Sequence, residues 1–175
     1  MKKIILLFVL GLILNACMND NVQDLTKEQK EKAQAEIIDL MKQYNTAFQN
    51  KDFPGLVHTL HNDVVFFGSD STEAIKSLTE FKEVVLKQWK FYDKMSYGEI
   101  NNPTIYLDPL GTFASIIYGL PCYYREVGKS DDGYFFLRVA RTLKKEKSGW
   151  KIISGIVSVT STGKIHQDTS SPDIK

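Results

Sequence analysis

Four long runs rich in β-branched and aromatic residues, Met95–Asp108, Thr112–Val127, Gly133–Lys147 and Gly149–Ser161, set the frame for this chain. Between them stand Asp108-Pro-Leu-Gly111, Gly128-Lys-Ser-Asp-Asp-Gly133 and Lys147-Ser-Gly149, each with turn chemistry. Connections this short join neighbouring strands only as antiparallel hairpins, because a parallel crossover needs a dozen residues or more. The second half is therefore expected to form an antiparallel sheet with an apolar face that something must cover.

The first half supplies the cover. Thr26-Lys-Glu-Gln29 has the form of a capping box. Ile37, Leu40, Met41, Tyr44, Ala47 and Phe48 then recur at helical spacing, so an amphipathic helix is expected to end near Asn50. Asp52 can cap a short second helix through Leu56, Val57 and Leu60. Val64-Val-Phe-Phe67 reads as a short strand that stops at Gly68. Ser77-Leu-Thr-Glu80 is a second capping box, opening a helix whose Leu78, Phe81, Val85, Trp89 and Tyr92 share a stripe. Helices first and strands afterwards is an α+β pattern, with Phe66, Trp89, Tyr118 and Phe136 as candidates to fill the space between layers.

The N-terminus predicts an address. Lys2 and Lys3 precede an apolar stretch from Ile4 to Leu14, and Leu14-Asn-Ala-Cys17 follows. The stretch has 11 residues, about half of the roughly 20 that a spanning helix needs. It matches a signal peptide. The tetrapeptide resembles the lipobox of bacterial lipoproteins, which implies cleavage before Cys17 and lipid on its sulfur. An ordinary secreted protein with a chance cysteine is the plainer alternative. The expected organisation is a signal peptide over 1–16, a lipidated tether over 17–25, one domain over 26–162 and a polar tail over 163–175. The expected location is the bacterial cell envelope, with the membrane as a partner through Cys17.

Loss of Lys2 and Lys3 turns the formal charge of +1 into −1, which argues against nucleic acid as a partner. With Cys17 lipidated, Cys122 is the one thiol left, and its apolar surroundings point to an inert core residue. No phosphate loop, dinucleotide fingerprint, nucleophile elbow or zinc pattern is present, so no cofactor and no metal are implied.

The order of helices, one short strand and long antiparallel strands resembles the nuclear transport factor 2-like superfamily, and its SnoaL-like branch in particular, over roughly residues 33 to 162. Three stretches carry the resemblance: Tyr44-Asn-Thr-Ala-Phe48 with Lys51-Asp52, Asp63 through Glu73, and Arg141 through Ile152. It implies a cone-shaped fold in which N-terminal helices pack on a strongly curved antiparallel sheet around a pocket. Members include isomerases, dehydratases, cyclases and epoxide hydrolases, while others only bind a ligand or dimerise, so the fold does not dictate the function. Many related domains carry a His six residues after the strand tryptophan. Here Trp150 is followed at that distance by Ile156, which weakens transfer of a His-centred mechanism.

Several residues are candidates for chemistry. Asp70 and Glu73 could divide acid and base roles, although Asp70-Ser-Thr-Glu73 also fits helix capping, the favoured reading. His58 and His61 stand three apart, a helix-face spacing without an evident third metal ligand. His61, just before a strand edging the pocket, is the better candidate base. Arg138 and Arg141 have opposite strand parity, so at most one enters the cavity as a carboxylate clamp; Arg138 is the candidate, against the favoured plainer reading of cross-strand pairing with acidic neighbours. Tyr44, Phe48, Trp89, Tyr106 and Tyr118 are expected to line the pocket, against the plainer reading of simple core. The favoured expectation is a non-catalytic domain that binds a small apolar or amphipathic ligand or a partner protein. A cofactor-free lyase or isomerase using Asp70 and His61, and a structural dimer formed through the sheet with a filled pocket, are the alternatives.

Overall fold

Thr26 starts the first helix, α1 (Lys27–Gln49): its hydroxyl accepts from the Gln29 amide at 3.2 Å, and Gln29 Oε1 accepts from the Thr26 amide at 2.8 Å. A computed structural model describes residues 24–68 and 74–160. The helix buries Ile37, Leu40, Met41, Ala47 and Phe48 along one side and stops where Lys51 turns to φ 56°. Asp52 caps α2 (Phe53–Thr59) by accepting from the Gly55 amide at 3.0 Å. A Cβ at Gly55 would lie 2.3 Å from Asp52 Oδ2, so the cap requires glycine there.

The short strand β1 (Leu60–Phe67) turns Leu60, Val64 and Phe66 inward. The capping motif proposed for Asp70–Glu73 lies outside the described residues, and the chain resumes at Ala74 as a strand rather than a helix. This strand, β2 (Ala74–Ile75), pairs antiparallel with β1. The helix expected next, α3 (Leu78–Phe91), starts at Ser77, whose hydroxyl accepts from the Glu80 amide at 3.2 Å. The box is only half closed, because the Glu80 carboxylate accepts from the Lys76 amide instead of the cap itself.

Four strand runs become five strands. β5 (Phe113–Glu126), β6 (Gly133–Glu146) and β7 (Gly149–Thr160) follow the expected hairpins closely. The run before them divides into β3 (Tyr92–Tyr97) and β4 (Asn101–Leu107). Both pair with β5, β3 along its Cys122–Glu126 end and β4 along Ala114–Gly119. The division lies beside Pro121, whose carbonyl accepts from the Gly98 amide at 2.9 Å. An edge position also tolerates Pro103, which has no N–H to give a ladder.

The sheet order is β2-β1-β7-β6-β5-β3, with β1 and β7 parallel and the other pairs antiparallel. The helices cover its concave face, and the core lies between the layers. The α+β class and the helices-on-curved-sheet architecture expected from the sequence are those observed. Among the described residues no helix is long and apolar enough to cross a membrane.

Candidate functional site

The core is not filled. A cavity of about 340 Å³ lies between the helices and the sheet. From α1 it takes Tyr44, Asn45 and Phe48; from α3, Phe81, Val85 and Gln88; from the sheet, Phe66, Tyr118, Leu137, Val139, Arg141 and Val157. Most of this wall is apolar. The lining also includes Phe67 and Gly68, at the end of the parallel β1–β7 pair, and Val159, which pairs with Leu137 of β6.

A bulge in β7 decides which residues of that strand face the cavity. Thr142 pairs with Ser154 but Leu143 pairs with Ile152, so Ile153 is an extra residue between them. Trp150 and Ile152 point inward before the bulge, Val157 after it. Ile156 consequently faces out, with 52% of its surface exposed. The position at which related domains carry a His therefore does not line this cavity, and the absence of a His there says little about what the cavity does.

On β6, Leu137, Val139, Arg141 and Leu143 share the inner face, while Arg138 is exposed. The inward arginine is Arg141 rather than Arg138. Three aliphatic residues outweigh Phe136, which sits on the outer face over Gly119, where a Cβ would meet its ring at 2.3 Å. Arg141 is only 6% exposed. Its guanidinium carbon lies 4.9 Å from the Phe66 ring centre and 5.7 Å from that of Tyr44. Nη1 reaches the carbonyls of Ala140 and Ile156, each at 3.4 Å. No carboxylate of the described residues forms an ion pair with it.

Phenols surround this cation. Burial raises the Tyr44 hydroxyl above its ordinary range, and the charge and hydrogen bond of Arg141 partly offset the effect. Burial pushes Tyr118 up to about 12, again against the pull of Arg141. Tyr97 is raised well above the usual range, chiefly by burial. All three are neutral at pH 7 and able to donate or accept hydrogen bonds. Among the described lining residues Arg141 carries the single formal charge.

Of the expected lining residues, Tyr44, Phe48 and Tyr118 reach the cavity. Trp89 stands behind the wall: its ring meets Phe48 edge-on at 5.8 Å and its Nε1 donates to the Phe48 carbonyl at 2.9 Å. Tyr106 is 63% exposed on β4, paired with Ser115 away from the cavity. His61 is not in the lining. Its Nδ1 accepts from the Asp63 amide at 3.0 Å, and its Nε2 lies 3.3 Å from Glu146. His58 belongs to α2 and His61 to β1, so they do not share a helix face, and no metal-binding cluster occurs among the described residues. Asp70, Glu73 and Cys17 lie outside the described residues. Asn45, not singled out from the sequence, lines the cavity with 8% exposure. The available signal was a polar residue inside the helical stripe Ile37, Met41, Asn45, Phe48.

The fold has known counterparts. A putative scytalone dehydratase from Novosphingobium aromaticivorans superposes with a TM-score of 0.72 at 16% identity, over 81% of this chain and 93% of that one. A hexachlorocyclohexane dehydrochlorinase from Novosphingobium barchaimii gives 0.70 at 11% identity, over 84% and 99%. A nuclear transport factor 2-like superfamily protein from Salmonella enterica gives 0.67 at 12%, over 79% and 98%. At these identities the likeness is one of fold. No curated protein sequence matches the chain. The SnoaL-like domain family, however, matches residues 37–162, and the chain belongs to that family.

Proposed function

We propose that this protein is a lipid-anchored component of the bacterial cell envelope whose cavity binds a small amphipathic molecule. The observation that carries the reading is the cavity itself. Its volume of about 340 Å³ falls at the lower end of the ~300–1,000 Å³ range of small-molecule sites. Its walls are mostly apolar, with Asn45, Gln88, Arg141 and the hydroxyls of several tyrosines as the polar groups, and such a mixture suits an amphipathic ligand. Filling the space tests this. Val139→Trp is expected to abolish binding of a hydrophobic reporter dye that the parent protein takes up. Equal uptake by both would place the dye elsewhere and remove the support.

The lipid anchor rests on Leu14-Asn-Ala-Cys17. Leu25 is fixed to the domain, its amide donating to the Pro109 carbonyl at 2.9 Å. Eight residues from Cys17 to Leu25 reach at most ~28 Å when extended, which would hold the β4–β5 turn close to the bilayer. Cys17→Ser is expected to release the protein from membranes or leave it uncut. A variant still membrane-bound at the processed size would sink the anchor.

A cofactor-free lyase is the second reading. It is favoured by the likeness to a putative dehydratase and a dehydrochlorinase. Proton abstraction needs a base within reach of the substrate. Neither a carboxylate nor an imidazole lines the cavity among the described residues, and Asp70, outside them, is the candidate base read from the sequence. Turnover of a substrate that survives Asp70→Asn would exclude that role. Pairing of two copies through the outer sheet face belongs to the proposal as well, since Phe67, Ile156, Ala140 and Ile117 form a row across four strands there. Sedimentation of Ile117→Lys against the parent protein tests it, with a shift from dimer to monomer expected.

A further inference from the structure

We infer that the ligand is a monocarboxylate with a hydrocarbon or aromatic body, its carboxylate seated against Arg141. The inference rests on the cavity being a ligand site and specifies what that site selects.

The argument begins with the cost of Arg141 as it stands. A buried cation is expensive unless it is paired and hydrogen-bonded. Arg141 is 6% exposed, yet its Nη1 contacts are two carbonyl oxygens at 3.4 Å, near the far limit of a hydrogen bond. Tyr44 contributes one further polar contact, and Phe66 and Tyr44 contribute ring faces. A guanidinium has five N–H groups, so these partners leave donors over. No described carboxylate neutralises the charge. Asn45, 8% exposed, lines the same cavity from α1 and has no hydrogen bond from its side chain to another described residue. Two largely buried polar side chains that line one hollow, each with hydrogen-bonding capacity its partners within the chain do not use, mark the place of a polar group that arrives from outside.

The chemistry of that group follows from its partners. A neutral alcohol or amide would satisfy donors but leave the positive charge uncompensated in a low-dielectric site. A phosphate monoester carries up to two negative charges against the single positive charge of the lining. A carboxylate matches in charge, and its planar pair of oxygens fits the planar fork of a guanidinium. The neutral phenols of Tyr44 and Tyr118 can donate to the same oxygens. The body of the ligand would meet Phe48, Phe66, Phe81, Val85, Leu137 and Val157.

Octanoate and octanamide, equal in length and differing in charge, test this by calorimetric titration of the full chain carrying Cys17→Ser at pH 7. Octanoate is expected to bind at least tenfold more tightly than octanamide, and Arg141→Met to erase that preference. Equal affinities of the unaltered cavity for both probes would overturn the inference and leave the cavity reading standing, whatever the variant does. Binding of neither probe would remove both. The rival occupant of the guanidinium is a carboxylate of the chain itself. A rise of tenfold or more in octanoate affinity on Asp70→Asn or Glu73→Gln would show that such a group already holds Arg141, and would equally overturn the inference.

Discussion

Gly155 stands directly across from Arg141 in the β6–β7 pairing, and a Cβ on it would lie 2.3 Å from Arg141 Nη1. The same atom would come within 2.9 Å of the Ala140 carbonyl oxygen, which belongs to the backbone and cannot swing aside. The missing side chain is what lets the guanidinium lie flat over the two strands. Gly155→Ala should therefore dislodge Arg141 and cost about 1–3 kcal/mol, the usual range for overpacking. Urea unfolding of the variant against the parent measures the cost. No loss of stability would mean that the guanidinium has room to rest elsewhere.

Replacing the cation itself should have the opposite sign. With no described ion-pair partner, Arg141 contributes its desolvation cost to the folded state. Arg141→Met keeps much of the volume and removes the charge, and stability is expected to be unchanged or to rise by about 1–4 kcal/mol. Thermal unfolding of ligand-free protein reads this directly. A clear drop would indicate that the cation is paired within the chain.

Much of this arrangement was legible in the sequence, because local rules and tertiary structure agree there. Thr26 and Gln29 cap as a box, and the turns at Asp108–Gly111 and Lys147–Gly149 produce the hairpins they encode. The candidate site was less legible, for three physical reasons. Alternation along β6 left Arg138 and Arg141 equivalent until partners were known, and only the packing of Phe136 over Gly119 separates them. The bulge at Ile153 reverses the parity of β7, and nothing in Ile152-Ile-Ser-Gly155 announces a bulge. Tyr106 belongs to an edge strand whose facing is set by its partner Ser115 and not by its own neighbours.

The buried phenols make stability fall in alkali. Tyr118 is held at about 12 in the folded protein against 10 when exposed, so its contribution is fully present below pH 10 and is lost as the pH rises toward 12. A displacement of about two units corresponds to about 3 kcal/mol at full expression. Tyr44 and Tyr97 shift in the same direction and add to the loss. The unfolding free energy should thus decline steeply between pH 10 and pH 12, and less steeply in Tyr118→Phe. Identical slopes for the two proteins would show that groups other than Tyr118 account for the decline.

Cys122 gives the most direct report on the core. It is 0% exposed, and burial pushes its thiol up to about 12, so almost no thiolate forms at pH 8 and no reagent can reach the sulfur. In the full chain carrying Cys17→Ser it is the one thiol, which makes the labelling unambiguous. Modification by a disulfide reagent should then be limited by opening of the sheet between β3, β5 and β6. The rate is expected to rise with urea in step with unfolding and to stay negligible in native buffer. Rapid labelling in native buffer would mean that β3, the edge strand beside Cys122, detaches from β5 at low cost, and that the cavity wall opens on that side.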